Sequence, residues 1–152
     1  MKLSTLNNSN KIEKALIKLN KEIKGQEKYN NNMVLKSLAT MATAFGLGTV
    51  AYTADMGTVT NAISIACLFG GTLAGIYMCN STESVETVDM VNVMNACGVE
   101  CRDENKANFE NLLNSYKNEY EAIIGNKKAE ANKQQEKRLI KNYASQICEL
   151  AC

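Results

Sequence analysis

Four of the six cysteines fall into two pairs of equal spacing, Cys97 and Cys101 in "CGVEC" and Cys148 and Cys152 in "CELAC". Two residues four apart on a helix project from one side, a turn apart. The pairs lie at nearly equal chain distances from the Gly125-Asn126 dipeptide, so a helical hairpin folded there sets them face to face. That geometry admits disulfides Cys97–Cys152 and Cys101–Cys148, a four-thiolate metal site, or small apolar side chains filling helix faces. Structural zinc sites favour CxxC knuckles, so no metal site is assigned. The chain also has no His, which removes the commonest general base and the commonest metal ligand. The expectation is a non-enzymatic protein with no catalytic residue, no cofactor and no metal.

The pair motif resembles the twin CX3C pattern of small mitochondrial intermembrane-space chaperones at those four residues alone. The stretch between the pairs is much longer here, and the uncharged segments described next have no counterpart in that family, so its fold and activity are not carried over.

The elements that would carry the cysteines surround an uncharged centre. Residues 1–36 hold eight Lys against three Glu, whereas residues 80–152 hold nine basic and twelve acidic residues. Between Ser37 and Thr53, and again between Met56 and Glu83, there is no charge; Asp55 alone separates the two segments. With Val34, Leu35 and a snorkelling Lys36, the first reaches the ~20 residues that a bilayer core requires. A cleaved signal peptide is disfavoured by a leader of over 30 residues and by the second segment that follows at once. A mitochondrial presequence would be Arg-rich and acid-poor, unlike this start.

Both segments are rich in Thr, Ser, Ala and Gly, which also suits a buried hairpin of a soluble protein. Small-residue phasing favours lipid: Ala62, Ala66, Gly70 and Ala74 recur every four residues, Gly71 and Gly75 add a GxxxG step, and Ala42 with Gly46 repeats the spacing. Glycine inside a soluble helix costs ~1 kcal/mol relative to Ala. Tyr52 and Tyr77 sit near segment ends, where aromatic belts form. The "ADMG" stretch, with Asp55 and Gly57, reads as a tight turn with Thr58 as a cap. The spans are then antiparallel, and the positive-inside rule puts both termini in the cytoplasm. A cytoplasmic tail meets reducing conditions, so its thiols are expected reduced. Cys67 and Cys79 read as core or lipid-facing residues.

Ahead of the spans, "NKIEKALIKLNKEIKG" starts with Asn10 and Glu13 at capping-box spacing, and Gly25 reads as a stop before a hydrophilic hinge at "YNNNM". Ile12, Ala15, Leu16, Leu19 and Ile23 share one helical face, with Lys11, Lys14, Lys18 and Lys21 on the other. Such a helix either lies on an anionic membrane surface or packs on the rest of the protein. The stripe lacks Arg and interleaved aromatics other than Tyr29, so no nucleic-acid partner is expected. After the spans, Val85, Val88, Val91 and Met94 mark a helix capped at Thr82 or Ser84 and stopped at Gly98. Phe109, Leu112, Leu113, Tyr116, Tyr120, Ile123 and Ile124 mark a second helix, and Leu139, Ile140, Tyr143 and Ile147 a third.

"GLGTVA" at Gly46 has dinucleotide-binding glycines without a preceding strand, and Gly70 to Gly75 has P-loop spacing without the Lys. Both are read as packing glycines. The sequence therefore predicts an all-α protein in three segments: a basic amphipathic segment at 1–32, a transmembrane helical hairpin at 33–80, and a helical tail at 81–152 ending in an antiparallel helical pair. The expected function is that of an integral membrane assembly or scaffold subunit, with the lipid bilayer and a homo-oligomer or other membrane proteins as partners. The alternatives are a two-span, holin-like permeabilising protein and a soluble all-helical structural or virion protein.

Overall fold

The computed structural model describes residues 3–54, 57–126 and 129–151. It is all-helical. Five α-helices, α1 (Leu3–Thr53), α2 (Thr58–Asn80), α3 (Thr87–Ala96), α4 (Lys106–Gly125) and α5 (Ala129–Ala151), are joined by loops and one 3-10 turn at Asp103–Asn105, with no strand among the described residues.

Contacts divide the chain into two units, Met1–Gly25 with Ser84–Cys152, and Gln26–Glu83. In the first, the N-terminal part of α1 and helices α3, α4 and α5 share one core. Ile12, Ala15, Leu16, Leu19 and Ile23 are at most 2 % exposed and belong to the same cluster as Met94, Phe109, Leu113 and Ile147. Each such Leu or Ile contributes about 1.5–3 kcal/mol on burial. Of the two placements expected for this apolar stripe, packing on the rest of the protein is the one observed, so the expected N-terminal segment and tail share one core.

Two expectations about α1 are corrected. It begins at Leu3 rather than at the Asn10 capping box, and it runs through both Gly25 and the "YNNNM" stretch without a break. Once nucleated, each further helical residue adds a hydrogen bond at little entropic cost. A single Gly costs only ~1 kcal/mol, and the chain has no Pro to force a stop. The polar stretch is also put to use: in the second unit Asn30 Nδ2 donates to the Glu83 carbonyl at 2.6 Å, and the Glu83 N–H donates to Asn30 Oδ1 at 3.2 Å.

Asp55 of the expected turn lies outside the described residues. Gly57, at φ 93°, is the N-cap of α2, a role the sequence reading gave to Thr58. Only glycine takes that backbone region without strain. The N-cap of α3 is Glu86 rather than Thr82 or Ser84 and makes no side-chain capping bond; the Thr82 hydroxyl turns back to the Cys79 carbonyl instead. At its other end α3 closes where Gly98 predicts. Gly98, at φ 75°, donates to Asn95 at 2.8 Å and Val99 donates to Met94 at 3.0 Å, the two bonds of a Schellman motif. Val99 and Met94, both buried, supply its apolar contact.

Candidate functional site

The second unit combines a small-residue seam with an apolar exterior. Along the seam α1 presents Ser37, Met41, Ala44 and Gly48, and α2 presents Ser64, Leu68, Gly71 and Gly75. A Cβ placed on Gly71 would fall on the Ala44 side chain; one on Gly75 would meet Met41 at 2.5 Å, and one on Gly48 would meet Leu68 at 2.7 Å. On both helices the contact positions step by four, three and four, the heptad-like spacing of helices that pack at a shallow angle.

Hydroxyls pin the seam. Ser37 is 0 % exposed and donates to the Gly75 carbonyl at 2.7 Å, while Ser64, 3 % exposed, donates to the Gly48 carbonyl at 2.7 Å. A glycine carbonyl is open to a second donor because no Cβ shields it. Ser37 Oγ also lies 3.1 Å from Cys79 Sγ, and Thr40 Oγ1 donates to Met78 Sδ at 3.9 Å.

Several threonine hydroxyls of these helices bond locally. Thr43 donates to Ala39 O at 2.8 Å, Thr49 to Phe45 O at 2.6 Å and Thr72 to Leu68 O at 2.6 Å, each to the carbonyl a turn back. Around them Leu38, Phe45, Val50, Phe69, Leu73 and Ile76 are exposed. Both α1 and α2 contain a stretch long and apolar enough to cross a membrane. The 23 residues of α2 rise ~34 Å, against a hydrocarbon core of ~30 Å.

The structure separates the expected packing residues. Gly71 and Gly75 lie in the seam and Ala74 is half-buried beside it, whereas Ala42, Ala62 and Ala66 are exposed. A Cβ on Gly46 or Gly70 would meet nothing within 4 Å. Sequence reasoning missed Ala44, Gly48, Ser37 and Ser64. The available signal was the mixed four-and-three step, which the four-residue repeat of alanines masks.

No disulfide links the described cysteines. Cys97, Cys101 and Cys148 are partly buried against the core of the first unit, and Cys152 lies outside the described residues. The Cys101 thiol contacts the Leu150 carbonyl at 3.9 Å. Burial, aided by the nearby Asp103 carboxylate, raises its pKa, which keeps it protonated and a poor nucleophile. Among the described residues no three Cys, Asp or Glu side chains converge as metal ligands would.

The same unit holds a buried polar network absent from the sequence reading. Tyr116 donates to Asn20 Oδ1 at 2.6 Å, and Asn20 Nδ2 donates to Glu136 Oε1 at 2.9 Å. Tyr120 donates to the same carboxylate oxygen at 3.3 Å, and Lys24 pairs with the other at 3.4 Å. Asn20 is 2 % exposed and Tyr116 0 %, so each bond offsets a desolvation cost of about 1–3 kcal/mol. Burial raises the Tyr116 pKa, only partly opposed by the Asn20 bond. Tyr143, which donates to Glu119 at 2.7 Å, is pushed up to about 12 by burial and by that carboxylate. These phenols stay neutral donors that fix how α1, α4 and α5 meet.

The chain matches no family model, no curated protein and no solved structure.

Proposed function

We propose that this chain is a small, non-enzymatic integral membrane protein. Its 33–80 region forms a two-span hairpin, and its helical tail, including an antiparallel α4–α5 pair, recruits or assembles partners from the cytoplasmic side, where both termini lie. The observation that carries the reading is the combined polarity of α1 and α2: Leu38, Phe45, Val50, Phe69, Leu73 and Ile76 face outward, the Thr43, Thr49 and Thr72 hydroxyls bond their own helix, and the buried serines bond across the seam. Lipid offers no hydrogen bonds, so each of these polar groups needs an internal partner. A soluble protein would leave these exposed Leu, Ile and Phe side chains in water, whereas large exposed apolar surfaces mark protein or membrane contact.

The tail supports the scaffold role over the permeabilising one. The first unit has its own core and polar network, a folded body suited to binding a partner. The exposed Ala62, Ala66 and Gly70 positions offer a close-approach face for a second copy or another membrane protein. Alkaline carbonate washing of membranes tests the anchor: the chain is expected in the pellet, and its release into the supernatant would contradict the reading. Overexpression separates the roles. Unaffected growth is expected of a scaffold, and abrupt loss of membrane potential would identify the permeabiliser.

A further inference from the structure

We infer that the first unit docks head to tail on a second copy of this chain, the basic groove between α1 and α5 of one copy taking the acidic groove between α3 and α4 of the next; this rests on the scaffold reading above. Charge is divided across the unit. Residues 3–25 and 129–151 carry nine basic and five acidic residues, whereas residues 84–126 carry three basic and eight acidic ones. On the α1–α5 side, Ala151 shares a cleft with Lys11 and Ile12, and Lys133 stands about five turns before it on the same side of α5. Lys137 and Lys141 follow at four-residue steps. On α1, Lys24 reaches Glu136, with Lys21 and Lys14 round the outer side. Lys14, Lys21, Lys133, Lys137 and Lys141 are exposed and form no ion pair among the described residues. Of the carboxylates here, Glu136 is already held by Asn20, Lys24 and Tyr120, and Glu13 is half-buried.

On the other side, Lys117 of α4 donates to the Val85 carbonyl just before α3 at 2.7 Å, and Thr87 donates to Asn114 at 2.9 Å. Glu119 points to the opposite flank of α4, where Tyr143 of α5 bonds it, so α3 and α5 lie on opposite sides of α4. Glu110 and Glu121 share the flank of Lys117, and Glu86 and Asp89 are exposed at the start of α3. The cations here are Lys106 and Lys117, and the Lys117 side chain, 14 % exposed, is taken up by the Val85 carbonyl and Glu121. The two grooves also lie level. Asn20 of α1, Tyr120 of α4 and Glu136 of α5 meet at one point, so their chain neighbours Lys21, Glu121 and Lys137 occupy one level of the bundle. A second copy in the same orientation therefore meets the first by lateral shift alone. A contact joining two different faces is heterologous and repeats into a ring or a row. An acidic partner of another kind would leave the acidic groove unused. Single exposed ion pairs contribute little, so several must act together, and salt screens them.

The test is sedimentation equilibrium of the full chain in a neutral maltoside detergent. The apparent dissociation constant is expected to rise about tenfold between ~0.05 and ~0.5 M salt. Lys137→Gln/Lys141→Gln weakens the basic groove and Glu86→Gln/Glu121→Gln the acidic one. At a low-salt concentration where the native chain associates, each variant alone should stay monomeric. An equimolar mixture should form a dimer that does not grow, because each partner keeps one sound groove. Association of either variant alone, or association that salt does not weaken, would place the contact in the hairpin and overturn the inference while leaving the membrane reading intact. A native chain that is monomeric at low salt would overturn it as well. So would a mixture that stays monomeric, with helical circular dichroism as the check that both variants fold. A chain that forms the salt-sensitive oligomer without detergent would contradict the membrane reading and leave this contact standing.

Discussion

The Ser37 hydroxyl of α1 reaches the Gly75 carbonyl of α2 at 2.7 Å while Ser37 itself is fully buried. Ser64 makes the reciprocal bond to Gly48 at 2.7 Å, so each helix supplies one hydroxyl and one glycine. Ser37→Ala and Ser64→Ala should each weaken the helix contact by roughly 0.6–2 kcal/mol. Titration of the reconstituted protein with denaturing detergent would measure this. An unchanged midpoint in the double variant would mean that the bonds do not hold the seam.

Adjacent glycines should respond in opposite ways. A side chain on Gly71 collides with Ala44, and one on Gly70 meets nothing. Gly71→Leu should therefore force α1 and α2 apart, while Gly70→Leu leaves their contact unchanged. Titration of each reconstituted variant with denaturing detergent reports this directly. Equal destabilisation of both would contradict the seam.

The register of α2 was legible in part, and the reason lies in its spacing. Ala62, Ala66, Gly70 and Ala74 make an unbroken four-residue series, but the seam runs through Ser64, Leu68, Gly71 and Gly75. Gly46 and Gly48 are two residues apart and so point to nearly opposite sides of α1. The value of Ser37 or Ser64 depends on a bare carbonyl on the other helix, which no local pattern reveals. The stripe at Ile12, Leu16 and Leu19 was clear in the sequence, yet a stripe reads the same whether lipid or protein covers it. The Asn20–Tyr116 and Asn20–Glu136 bonds join residues 96 and 116 positions apart and leave no local signature.

Removing one member of that network should cost more than removing an exposed polar group. Tyr116→Phe strips the donor from the buried Asn20 Oδ1, an expected loss of about 1–3 kcal/mol. Thermal unfolding followed by circular dichroism would register it. Ser115→Ala, at an exposed position bonded only to its own helix, is the comparison and should change stability by less than about 0.5 kcal/mol.

Alkaline pH should loosen the bundle through the same phenols. Tyr143 titrates near 12 in the folded chain against an ordinary value of ~10, and the Tyr116 pKa is also raised. Above pH ~10 the unfolded chain releases phenolic protons that the folded chain retains, so stability falls as pH rises. The Tyr143 contribution is fully present below the unfolded pKa and is lost through about pH 12. Tyrosinate absorbance should show a late-titrating component that Tyr143→Phe diminishes. A stability curve that is flat or rises above pH ~10 would contradict this linkage.

The most direct test of the membrane assignment is a fluorophore placed on the exposed face of α2. Phe69→Cys and, in the other unit, Val88→Cys put labels at two exposed apolar positions, each in a background with the native cysteines replaced by serine. In proteoliposomes, brominated acyl chains should quench the label at 69 strongly and aqueous iodide should quench it weakly, with the opposite pattern at 88. Strong iodide quenching at both positions, with none from brominated lipid, would mean that α2 does not contact the bilayer interior.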